Sequence, residues 1–279
     1  MPMTRTATFA LFVAFAGCGS PPAPVEPVAP PVEAPATPPV LTPDQLAAGA
    51  ENIALVPSVI ETQSALEAAG ITTKLADLLA EKKFDMASKD KDNVAVRTGV
   101  VIADMMLTVK TAPKDKLVDN LEKIKQGLSE LQGGADIATT LGDIQERVRG
   151  DSVTRDELLK ELDELSGAVI PELEFNGQKR IVPLIQAGSW LEGANLVGKA
   201  VKGAKNASAA DTMLKQPAVV DYFIKYVKNE GAEKAPAAVT QKLEESLTVL
   251  KGLAEKKEPF TDADIDTVIK TTDDVLALL

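Results

Sequence analysis

The sequence predicts an all-α fold, a bundle or array of roughly nine to eleven helices. Two observations predict it. Apolar residues recur at spacings of three and four, the period of amphipathic helices that pack on a common core, most clearly over 117–131 and 243–253. Helix-start signals recur as well, since Thr154 is followed three residues later by Glu157 and Thr261 by Asp264, as in capping boxes.

The predicted helices follow one another with short loops between them. They occupy about 43–55, 57–70, 73–83, 93–111, 114–132, 134–149, 154–170, 181–203, 208–229, 236–255 and 261–278. Pro217 is expected to break or restart its helix, because proline lacks the amide donor of a helix interior. Asn176-Gly177 forms either a loop or the turn of a hairpin, and the loop is favoured because a lone two-stranded ribbon is marginal.

The first 18 residues have the layout of a secretory signal segment. A basic start with Arg5 precedes a short apolar run over 9–16, and small residues lead to Cys18, the only cysteine of the chain. The sequence Phe15-Ala16-Gly17-Cys18 resembles the lipobox of bacterial lipoproteins, with Phe15 where that family usually has leucine. The resemblance implies cleavage after Gly17 and attachment of diacylglyceryl and palmitate-type acyl chains to Cys18.

Two other interpretations of this segment compete. A transmembrane anchor needs about 20 apolar residues, roughly twice the length of this run. The second is an ordinary signal peptide with an incidental cysteine. The sequence after the cysteine argues against it, because residues 20–43 hold ten of the chain's 18 prolines. Proline excludes a helix there and favours an extended chain, which suits the tether of a lipidated protein. We therefore divide the chain into a signal peptide (1–17), a lipidated cysteine with its tether (18–43) and a helical domain (44–279).

The residue after the lipidated cysteine is Gly19. In the lipoproteins that this segment resembles, a residue other than Asp at that position tends to permit sorting to the outer membrane. The resemblance therefore implies a protein of the cell envelope that is lipid-anchored, faces the periplasm and resides at the outer membrane.

Composition argues against several classes of function. The chain has 41 acidic and 30 basic side chains, a net charge of −11, which disfavours nucleic acid because phosphates require a basic surface. It has no histidine, and lipidation of Cys18 leaves no thiol, so the commonest general base and metal ligand are missing. No phosphate-binding glycine loop or calcium loop occurs. We predict no catalytic residue, no metal site and no cofactor, and we do not expect an enzyme.

The helix predicted at 93–111 is nearly all apolar and is expected to be the most buried. Its narrow polar stripe, Arg97, Asp104 and Thr108, has two explanations. Either the stripe faces solvent, or Asp104 lies inside, held by a hydrogen bond from Thr108 and by a cationic partner elsewhere in the chain.

The helix predicted at 181–203 gathers small residues, which suggests close backbone approach by a neighbour. They are Ala187, Gly188, Gly193, Ala194 and Gly198. At a constant offset of 89, the residues Gly99, Leu107 and Lys110 align with Gly188, Leu196 and Lys199. Three matches leave an internal repeat open without establishing it.

The functional expectation is an interaction or scaffold subunit of the cell envelope. Its expected partners are the bilayer, through acylated Cys18, and an envelope protein. The alternative is a helical binding protein for a small apolar ligand, with Trp190, Met105 and Met106 lining the site. A closed apolar pocket of a few hundred Å³ favours the ligand, and its absence favours the protein partner.

Overall fold

The computed structural model describes residues 59–71, 74–231 and 237–279. Within these ranges the protein has ten α-helices and no β-strand, which confirms the all-α prediction. The helices are α1 Val59–Ala68, α2 Lys91–Thr108, α3 Lys114–Glu130, α4 Ala135–Arg149, α5 Arg155–Phe175, α6 Val182–Ala204, α7 Ala207–Leu214, α8 Pro217–Tyr226, α9 Ala237–Ala254 and α10 Asp262–Leu276. The signal peptide, the tether and the predicted helix 43–55 lie outside the described residues.

Local sequence signals set several helix ends where they were expected. Thr154 and Thr261 cap α5 and α10 through complete capping boxes. The hydroxyl oxygen of each threonine accepts from the backbone N–H of the third helical residue, and the carboxylate of that residue accepts from the backbone N–H of the threonine. Hydrogen bonds from Lys256 and Thr261 lower the pKa of Asp264, that residue in α10, to about 2. At Pro217 the helix restarts, as predicted, with this proline as the first residue of α8.

The predicted helix 73–83 is wrong. Over the described residues 74–83 only a 3-10 turn, Leu75–Leu78, forms, and residues 79–90, which we call the strap, run without a helix to the start of α2. The reason lies in the contacts that this segment makes with other elements of the fold. Lys82 pairs with carboxylates of α2 and α6, the ring of Phe84 lies 6.0 Å from the Arg97 guanidinium, and Met86 is buried. A helix over 73–83 would not leave the strap free to make these contacts.

The end of α5 also differs from its prediction. The helix was expected to stop before Pro171 but continues to Phe175. Pro171 has no N–H to donate a hydrogen bond to the carbonyl of Gly167, and because Gly167 is exposed, that carbonyl can turn toward water. Beyond α5, Asn176 and Gly177 form the favoured loop rather than a hairpin, with Gly177 in the left-handed region at a φ of 76°.

The apolar residues form two cores, and α2 and α6 contribute to both. One core gathers side chains of α1, α6, α7, α8, α9 and α10, together with Leu107 of α2. The other gathers side chains of α2, α3, α4 and α5, together with Val182 and Ile185 of α6. With 12 of its 18 residues buried, α2 has the highest buried fraction of the helices whose burial is described, as predicted.

The α2–α6 crossing brings two glycines against the opposite backbone. A Cβ atom at Gly99 would overlap the carbonyl oxygen of Ile185 and stand 2.9 Å from the amide nitrogen of Ser189. A Cβ atom at Gly188 would overlap the carbonyl oxygen of Val96. Among the glycines of α6 that predicted a close backbone approach, Gly188 makes it, whereas Gly193 and Gly198 do not meet an opposite backbone. The close approach gives both aligned glycines a packing role, so their alignment needs no duplication to explain it.

Distant side chains cover the carbonyl groups at the C-terminal end of α2. The Gln63 amide of α1 donates to the Met106 carbonyl at 2.7 Å, and the Arg155 guanidinium of α5 donates to the Val109 and Ala112 carbonyls at 3.1 and 3.0 Å. These bonds satisfy backbone acceptors that have no partner within a helix. They also fix α1 and α5 relative to the crossing.

None of the helices in the described ranges combines the length and the apolar character that crossing a bilayer requires.

Candidate functional site

The predicted lipidation site, Cys18, lies outside the described residues. Within the described residues, a group of charged side chains lies at the α2–α6 crossing. We call Lys82, Asp104 and Glu192 the charge cluster. Asp104 lies on α2, Glu192 on α6 and Lys82 on the strap.

The charge cluster is buried and closely spaced. Asp104 is 8% exposed and Glu192 is 1% exposed. The Lys82 Nζ atom donates to Glu192 Oε1 at 2.6 Å and lies 3.3 and 3.4 Å from the two carboxylate oxygens of Asp104. Lys82 therefore joins the strap to both central helices through one ammonium group.

This geometry decides between the two explanations of the polar stripe on α2. The solvent-facing explanation is wrong for Asp104, which is buried and has the cationic partner that the second explanation required. One detail of that explanation is wrong as well. The Thr108 hydroxyl donates to the backbone carbonyl of Asp104 at 2.5 Å, not to its carboxylate.

Arg97, the third member of the stripe, belongs to a different contact. Its guanidinium donates to the carbonyl of Leu279 and, at 2.8 Å, to the carbonyl of Asp85 in the strap. The stripe therefore splits into two anchors for the strap, one through Lys82 and one through Arg97.

The electrostatic environment of Asp104 favours its neutral form. Removal from water raises the pKa of this carboxyl well above its ordinary value, and the neighbouring Glu192 raises it further. The Lys82 ammonium acts in the opposite direction and offsets only part of the increase. The folded protein therefore holds the Asp104 proton to a higher pH than the unfolded chain does.

Sequence reasoning missed two of the three members. Glu192 carried a usable signal, because it is a single charge between Leu191 and Gly193 in an otherwise apolar and small-residue stretch, much like Asp104 in α2. Lys82 carried none, since it stands among other charged residues in a segment that was assigned to a helix.

Trp190 is packed and hydrogen-bonded in place. Its indole Nε1 donates to Gln216 Oε1 at 2.8 Å, and its ring centre lies 5.6 Å from that of Phe223. A cavity of about 40 Å³ adjoins it, between α1, α2, α6 and α7. This volume suits one or two water molecules rather than a ligand of ordinary size.

Met105 and Met106 line a different cavity, so the three candidate ligand contacts are not brought together. It lies among α2, α3, α4 and α5, has almost entirely apolar walls and measures about 30 Å³. Leu162 and Val169 of α5 form part of its wall. Neither cavity reaches the few hundred Å³ that would favour a small ligand.

Within the described ranges, no group of three or more acidic, histidine or cysteine side chains is placed to hold a metal ion. The chain matches no protein-family model, none of the curated proteins and none of the solved structures with which it was compared.

Proposed function

We propose that this chain is a lipoprotein of the cell envelope, anchored through acylated Cys18 and facing the periplasm, whose helical domain binds another envelope protein. The observation that carries the proposal is the junction Ala16-Gly17-Cys18, between a short apolar segment and a proline-rich stretch. The acyl chains hold the protein at the bilayer and the stretch acts as a spacer. Gly19 after the cysteine supports the outer membrane as the destination.

The folded domain supports a binding role with a protein partner in two ways. The cavities at the candidate ligand residues are small, and in the charge cluster Lys82 is paired with both Asp104 and Glu192. Phe175, at the end of α5, is 87% exposed and is the most exposed of the large apolar side chains that the structure describes. It is available for contact with a partner.

The alternative, a binding protein for a small apolar ligand, has one observation in its favour. The walls of the cavity at Met105 and Met106 are almost entirely apolar, as an apolar ligand would require. Enlarging it would require α5 to move away from α2, because Leu162 and Val169 of α5 close one side.

Cys18→Ser is expected to move the protein from the membrane fraction to the soluble fraction, because the hydroxyl group cannot take the place of the thiol that carries the lipid. Fractionation of cells followed by immunoblotting measures this. Ser20→Ala, two residues further on, is the matched control and should leave the protein in the membrane fraction. Retention of Cys18→Ser in the membrane would contradict the anchor.

A further inference from the structure

The charge cluster has one hydrogen-bond donor too few. The Lys82 ammonium supplies donors to Glu192 Oε1 and to the Asp104 carboxylate, but Glu192 Oε2 is buried and has no hydrogen-bond partner. A buried carboxylate oxygen without a donor costs free energy, because it has lost its water and gained nothing in return. A hydrogen on the neighbouring carboxyl group would supply the missing donor.

The cluster also lacks one positive charge. With both carboxyl groups ionised and Lys82 charged, its net charge would be −1, in a place where an uncompensated charge is expensive. The surroundings do not correct this. The buried residues of α3, α5, α7, α8 and α10 are uncharged. The charged groups on α1 and on the Leu75–Leu78 turn are the carboxylates Glu61, Glu67 and Asp77, with the exposed Lys74 just before the turn.

Lys110, just after α2, and Lys199, on α6, are already paired. Lys110 binds Glu67 of α1 at 3.1 Å, and Lys199 binds Asp273 of α10 at 3.0 Å. The charges that act on the Asp104 carboxyl are those of Glu192 and Lys82. A proton is therefore the remaining source of positive charge for the cluster.

We propose that Asp104 and Glu192 bind one proton between them, so that the charge cluster is a neutral proton-binding site that fastens the strap to the α2–α6 crossing. The proton forms a hydrogen bond between the two carboxyl groups, and Lys82 binds the charge that remains on the pair. Neutrality and complete hydrogen bonding are reached together.

The site makes the attachment of the strap sensitive to pH. Because the pKa of Asp104 is raised in the folded protein, the folded state holds a proton that the unfolded state releases above the ordinary carboxyl range. The stabilisation is complete at low pH and is lost as the pH rises through the raised pKa. Loss of the proton restores the charge of −1 beneath the strap.

Infrared spectroscopy of the folded full-length protein tests the proposal. We expect the C=O band of a protonated carboxylic acid at neutral pH, lost in Asp104→Asn and also in Glu192→Gln, since sharing needs both carboxyl groups. Asp143→Asn, an exposed position on α4, is the matched control and should retain the band.

The wild-type spectrum keeps the test decisive if a variant fails to fold. Asp104 and Glu192 are the acidic side chains buried in the described ranges, so the band must be present at neutral pH and disappear when the pH of the folded protein is raised. Its absence at neutral pH overturns the proposal. Its survival in either variant overturns the sharing of the proton.

Discussion

Gly99→Ala is expected to lower the free energy of unfolding by at least about 3 kcal/mol, with a similar loss for Gly188→Ala. In each variant the added methyl group would overlap a backbone carbonyl of the opposite helix. Backbone atoms cannot change rotamer to make room, so α2 and α6 must separate along their crossing, at the upper end of what overpacking costs. Urea denaturation followed by the fluorescence of Trp190 measures the loss.

Gly193→Ala is the matched control, because it lies on α6 only five residues from Gly188. A Cβ atom there meets nothing within 4 Å, so the substitution should be neutral or stabilise the protein by up to about 1 kcal/mol, as alanine does in a helix. If all three variants unfolded at the same urea concentration as the wild type, the helices could not approach as closely as described.

Lys82→Met is expected to cost about 3–5 kcal/mol at neutral pH, because it leaves two buried carboxyl groups without their cation. The sign of its pH dependence is distinctive. Without Lys82, the only group that lowers the raised pKa of Asp104 is gone, so the folded state binds more protons than the unfolded state and the lost stability returns as the pH falls. Urea denaturation of the variant over a series of pH values measures both effects.

Lys83→Met is the control for this substitution. The Lys83 side chain is 87% exposed, and its carboxylate partner, Glu81, is 4.0 Å away and also exposed. The free energy of unfolding of Lys83→Met should therefore stay within about 0.5 kcal/mol of the wild-type value. A Lys82→Met loss as small as that of Lys83→Met, or one that deepens in acid, would contradict the described burial of the charge cluster.

The parts of the fold that follow from neighbouring residues could be predicted from the sequence. The capping boxes at Thr154 and Thr261 and the restart at Pro217 depend on contacts within four residues, and all three were predicted. The burial of α2 was predicted as well, because a helix with a narrow polar stripe has few positions that can face water.

The parts that depend on distant residues could not be predicted. The strap is not helical because Lys82 reaches Glu192, 110 residues further along the chain, and because Arg97, 12 residues further along, binds the carbonyl of Asp85. No local pattern contains such pairs. Glu192 itself could have been singled out by the reasoning applied to Asp104, since each is an isolated charge within an apolar stretch of its helix.

Native mass spectrometry of the protein extracted from membranes tests the proposed function most directly, because it reads the covalent state of Cys18 and the bound partner together. We predict a chain that begins at Cys18, carries the mass of the diacylglyceryl and acyl groups, and is associated with a second, different polypeptide. An unmodified Cys18 would contradict the anchor, and a bound small apolar molecule in place of a polypeptide would contradict the interaction role.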